Sequence, residues 1–165
     1  MCMAICSYAQ RDIPAGGSME VASVEKEDTF GDHVGTGKEL HLYKVKDLEG
    51  NPRFFLFISR TVVSFTFGTV DSFSTFSIPG ETVALDFGAT YQDAMGKLDA
   101  LAEMFAMNDG DQKELPGRDG SPVLCTLKKG ILGKHLDIAE TSISKSDIKS
   151  LKFSFKISKK LHPDL

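Results

Sequence analysis

The segment Lys149-Ser-Leu-Lys-Phe-Ser-Phe-Lys-Ile-Ser158 places Leu151, Phe153, Phe155 and Ile157 at every second position, with Ser150, Lys152, Ser154, Lys156 and Ser158 between them. A period of two is the repeat of a strand, whose side chains alternate between faces. One apolar and one polar face suit an antiparallel sheet with one solvated side. The segment is therefore expected to be the closing strand.

Upstream, the same period recurs. Ser18 to Lys26 reads as a first strand, followed by a polar, Gly-rich loop from Glu27 to Lys38. Leu40 to Lys46 and Arg53 to Ser59 flank Asp47-Leu-Glu-Gly-Asn-Pro52, turn formers that predict a hairpin. Thr61 to Phe67, Val70 to Ile78 and Thr82 to Phe87 are further strands, separated by Gly68 and Pro79-Gly80. Seven of the twelve Phe lie between Phe54 and Phe76, which marks the heart of the core. Pro122 to Lys128 and His135 to Thr141 precede the closing segment.

One helix interrupts the strands. Ala94, Met95, Leu98, Leu101, Ala102 and Phe105 recur at helical spacing after Tyr91. Thr90 is a natural N-cap, Asp93 completes a capping box, and Asn108-Asp-Gly110 stops the helix. Gly96 within it costs roughly 1 kcal/mol relative to Ala, which suggests close approach to a strand. Asn108 to Ser121 is a polar connection expected to project from the domain. The fold class predicted is α+β: an antiparallel, curved sheet of about seven to nine strands with one amphipathic helix, about 91–107, on its apolar face.

With 165 residues, 41% hydrophobic and 25% charged, the chain suits one domain with one core. Residues 18–160 are assigned to that domain, 10–17 to a flexible leader and 161–165 to a C-terminal tail. Residues 1–9 are read as a secretory signal-peptide remnant. Met1 to Cys6 is apolar, and Ser7-Tyr8-Ala9 offers small residues for a cut after Ala9. No cationic start precedes it, so a precursor extending upstream of Met1, or a late start, is expected. An apolar first strand is the alternative. Ile5 before Cys6 argues against a lipoprotein. No segment approaches the ~20 apolar residues of a membrane span. Cleavage would remove Cys2 and Cys6 and leave Cys125 alone. Neither Asn51 nor Asn108 begins a glycosylation sequon. A periplasmic or secreted protein is the expectation.

Charge is segregated: residues 1–120 carry −9 and residues 121–165 carry +5. On a strand, Lys149, Lys152, Lys156, Lys159 and Lys160 would form a stripe able to attract phosphate or anionic lipid, though lysines also protect exposed strands from aggregation. The latter is favoured. No Arg or aromatic lies on that polar face, so nucleic acid is not an expected partner.

No catalytic, cofactor-binding or metal-binding residue is assigned. Gly35-Thr-Gly-Lys38 ends like a phosphate loop, but Glu39 follows it, Asp32 takes the first glycine position, and it leads into a strand. Asn108-Asp-Gly-Asp111 fails as a calcium loop, with Phe105 and Pro116 at the first and twelfth positions. His33, His41, His135 and His162 lack metal-ligand spacing. Cys125 sits in an apolar run and reads as a buried small hydrophobe. With His135 or His41 it forms the available thiol-imidazole pair, without a third group to orient the ring. Asp86, opposite Val83, Leu85 and Phe87, is the carboxylate to inspect. The leading functional expectation is a non-enzymatic binding or interaction module of the cell envelope, whose partner is an envelope or extracellular protein. The alternative is a carrier that holds a small apolar ligand in a cup lined by Phe55, Phe57, Phe65 and Phe67. A thiol-dependent enzyme using Cys125 comes third.

Overall fold

The computed structural model describes residues 18–30, 34–46, 50–69, 72–77, 82–139, 141–163 and 165. The leader and signal-peptide assignments, residues 1–17, lie outside them.

Nine antiparallel strands and two α-helices are present among these residues, in two sheets. The first sheet contains β1 (Ser18–Phe30), β2 (Val34–Lys46), β3 (Pro52–Thr69), β4 (Ser72–Ser77) and β5 (Thr82–Gly88). β1, β2 and β3 are neighbours in that order. The other edge of β3 is shared end to end: Phe54–Ser59 pairs with β5 and Ser64–Thr69 with β4. Two predicted strands, Arg53 to Ser59 and Thr61 to Phe67, are thus one. The predicted loop from Glu27 to Lys38 is largely strand, with Phe30 paired to Val34.

The second sheet runs β6 (Gln112–Pro116), β7 (Pro122–Gly130), β8 (Gly133–Ile138) and β9 (Thr141–Ser144). The Asn108 to Ser121 connection does not simply project, because β6 pairs with β7 from Gln112↔Thr126 to Pro116↔Pro122. The predicted strand His135 to Thr141 is broken by Ala139 at a positive φ of 51°. A Leu85↔Gly117 bridge links the two sheets. The expectation of one curved sheet with one helix is therefore corrected to two sheets with two helices.

Helix α1 (Tyr91–Glu103) begins where the sequence places it, with Thr90 and Asp93 in a reciprocal capping box, and runs into a 3₁₀ turn at Met104–Ala106. Gly88, at φ +91°, makes the preceding turn; a Cβ there would lie 2.6 Å from that of Asp93.

The closing segment is not a strand. Lys145–Leu161 forms helix α2, capped by Ser144 and Asp147 in a second reciprocal box. Ile148, Leu151 and Phe155, spaced three and four apart, are its buried apolar side chains. The alternation that suggested a strand shares Leu151 and Phe155 with this helical face. A Ser-x-x-Asp start, local and satisfied, selects the helix.

One large core cluster joins these elements. Leu40, Leu42, Phe54, Leu56, Ile58, Leu85 and Phe87 line the inner face of the first sheet, and pack in one cluster with Leu98 and Leu101 of α1, Leu127 and Leu136 of the second sheet, and Leu151 and Phe155 of α2. Phe55 and Phe57 point the other way, into a smaller cluster with Val45, Tyr43 and Ala84. β3 is therefore buried on both faces around Phe54–Ile58. Leu165 turns back into the core within the segment assigned as a tail.

Phe155 is 0% exposed and Phe153 67% exposed. Phe155→Ala should cost about 3–5 kcal/mol in chemical denaturation and Phe153→Ala less than about 0.5 kcal/mol. Equal losses would restore the strand, which places both rings on one face. Gly96 meets nothing within 4 Å of a built Cβ, which removes the proposed close approach. Gly96→Ala should stabilise the protein by about 0.5–1 kcal/mol, read as a raised unfolding midpoint.

Candidate functional site

Because α2 is a helix, its lysines leave the single strand face that the alternation implied. Lys152 forms an ion pair with Asp99 of α1. Lys159 lies 5.0 Å above the Tyr91 ring and donates to the carbonyls of Pro163 and Leu165. These two stitch α2 to α1 and to the chain end. Lys149, Lys156 and Lys160 are exposed.

Beside them runs a second apolar row. Phe153, Ile157 and Leu161 recur every four residues and are exposed, so they form one ridge on the helix surface. Phe153 is flanked in sequence at helical spacing by Lys149 and Lys156, and Ile157 by Lys160. α2 thus has an inner face that serves the fold and an outer apolar ridge with cationic neighbours. The period-two pattern merged these two rows into one face, which is why the ridge was not visible as a surface feature.

Cys125 is fully buried, its thiol directed to the Val123 carbonyl at 3.9 Å. Burial pushes the thiol up to about 11, with Lys113 opposing weakly. Such a thiol is a poor nucleophile at neutral pH. His135 pairs across the ladder with Lys128, not Cys125, and points to the polar face, 3.5 Å from Asp137. Since Cys125 pairs with Ile138, three ladder steps away, strand parity places thiol and imidazole on opposite faces of the sheet. His41 lies in the other sheet.

There, His41 faces Glu20 through Nδ1 at 3.2 Å and Glu39 through Nε2 at 3.4 Å, and stacks on Tyr43. Burial, then Glu20 and Glu39, raises the Tyr43 phenol above its ordinary range. Asp86 is buried, accepts hydrogen bonds from Arg53, through Nε at 3.0 Å and through Nη2, and takes the Gly88 N–H at 2.8 Å. Its geometry ties β3 to the turn before α1. Gly35-Thr-Gly-Lys38 is part of β2, and Asn108–Asp111 forms a turn in which Asp111 accepts the Asn108 N–H at 2.8 Å. Among the described residues, no three or more His, Cys, Asp or Glu side chains converge as metal ligands would, and no helix is long and apolar enough to cross a membrane. The side chains of Phe65 and Phe67, two of the four assigned to the cup, and His33 lie outside the described residues.

Fold and surface define a two-sheet α+β protein with an unshared apolar ridge on its second helix. Compared with protein-family models, curated proteins and solved structures, the chain matches none.

In a chain carrying Cys2→Ser and Cys6→Ser, Cys125 should resist a disulfide reagent until the protein unfolds; reaction at a free-thiol rate in the native state would contradict its burial. The raised thiol stabilises the fold fully below its ordinary value of 9.0, and this contribution is lost as pH rises through about 11. Its size is roughly 3 kcal/mol. Denaturation of Cys125→Ala across that window should show a correspondingly shallower alkaline loss.

Proposed function

We propose that the protein is a non-enzymatic interaction module of the cell envelope, and that the outer ridge of α2 is its contact surface. The exposed Phe153–Ile157–Leu161 row carries this reading. It contributes little to the fold, and it combines large apolar side chains with cationic neighbours. A helix presenting such a row fits an apolar groove, and Lys149, Lys156 and Lys160 favour an acidic rim. The partner proposed is an envelope or extracellular protein.

Export is part of the proposal and rests on the apolar Met1 to Cys6 run and the small residues before Gln10. A second reading, a carrier of a small apolar ligand, draws support from Phe55 and Phe57, which face away from Leu98 and Leu101. The Phe57 ring also contacts those of Tyr43 and Phe55, with centroids 5.6 Å and 6.2 Å apart.

A photo-crosslinking residue at Phe153 or Ile157 should trap a discrete partner in cells, and one at exposed Gln92 should not. Lys149→Glu with Lys156→Glu should weaken the adduct at least tenfold. Equal adducts from all positions, or none, would remove α2 as the contact surface. Native mass spectrometry of the same material should show a chain starting at Gln10 without added ligand; an intact Met1 would remove export, and a retained small molecule would favour the carrier.

A further inference from the structure

The β7–β8 hairpin reads Lys128-Lys-Gly-Ile-Leu-Gly-Lys134. Gly130 pairs with Gly133, leaving Ile131 and Leu132 at the tip, where both are fully exposed. Turn positions favour Gly, Asn, Asp and Ser, for backbone reasons that branched apolar side chains do not meet. Ile131 and Leu132 therefore serve neither the turn nor the core.

The hairpin beneath them is braced. Asp109 accepts the Lys129 N–H at 2.7 Å, and the Lys134 ammonium donates to the carbonyls of Phe105 at 2.9 Å and Met107 at 3.3 Å. Gly110 donates to the Leu127 carbonyl at 2.8 Å, and Leu127 to that of Asp111 at 2.9 Å. The tip is held out on a fixed stem. Lys134 is committed to those carbonyls, whereas Lys128 and Lys129 are exposed on the strand leading to the tip. Ser144 pairs with His135 near the same end, which brings exposed Lys145 at the start of α2 toward it. Asp109 partly offsets this charge.

We infer that Ile131 and Leu132 dip into the interface of an anionic lipid bilayer, with Lys128 and Lys129 meeting the headgroups. Two adjacent apolar side chains are too few to form the core of a stable protein interface, but they suffice for shallow insertion beside cationic residues. Exposed Lys128, Lys129 and Lys145 near the tip supply the positive charge that a negative surface attracts. This surface is separate from the α2 ridge and rests on a different observation.

The chain contains no Trp, so Leu132→Trp makes a single reporter at the tip. Mixed phosphatidylglycerol and phosphatidylcholine vesicles should shift its emission to the blue and expose it to quenching by brominated acyl chains. Pure phosphatidylcholine should give neither. Phe153→Trp should remain unshifted, which separates this surface from α2. In co-sedimentation of the otherwise native chain, Lys128→Gln and Lys129→Gln should each lower partitioning roughly fivefold, and Ile131→Ser with Leu132→Ser should reduce it to the pure phosphatidylcholine level. Unchanged circular dichroism confirms that these variants fold. No shift at Leu132→Trp, binding indifferent to the tip substitutions, or lipid-free self-association that those substitutions abolish would each overturn the inference.

Discussion

The Phe155 ring is the contact on which the arrangement of layers depends. It meets Phe54 of β3 edge-on at 6.1 Å and Tyr91 at the start of α1 at 4.7 Å between centroids. A single buried side chain of α2 thus touches the first sheet and the other helix. Aromatic rings supply large buried area and prefer such tilted or edge-on contacts. The Ser144–Asp147 cap starts the helix so that Ile148 and Leu151 join Phe155 on the inner face. Lys152 and Lys159 then close the seam with α1 at either side of Phe155.

The same helical geometry leaves Phe153, Ile157 and Leu161 outside. A helix buries a stripe, not every second residue, so an alternating sequence folded as a helix must divide its apolar side chains between inside and outside. That division makes α2 both a structural element and a surface. At the Ile131–Leu132 tip the exposure has another cause: the hairpin extends beyond the core, and its stem is held by backbone carbonyls and Asp109.

Strand parity has a comparable effect on chemistry. Cys125 and His135 are ten residues apart, close enough in sequence to meet across a hairpin, but Cys125 follows the inward residues of β7 and His135 the outward residues of β8. Burial then keeps the thiol protonated. Polar groups elsewhere serve the fold in the same way, as Asp86 does by accepting from Arg53 and Gly88 together.

Local patterns were sufficient for α1, whose cap, apolar stripe and stop signal agree, and for β5 and β7, whose alternation and turns agree. The sequence by itself also determined that Cys125 is a buried apolar thiol and that positive charge gathers after residue 120. Sequence alone misassigned α2, because Leu151 and Phe155 satisfy both a period of two and helical spacing, while Phe153 and Ile157 tipped the pattern toward a strand. Only the tertiary structure decided which rings have partners: Phe155 has Phe54 and Tyr91 to pack against, Phe153 remains exposed, and the energy of burial depends on neighbours distant in the chain.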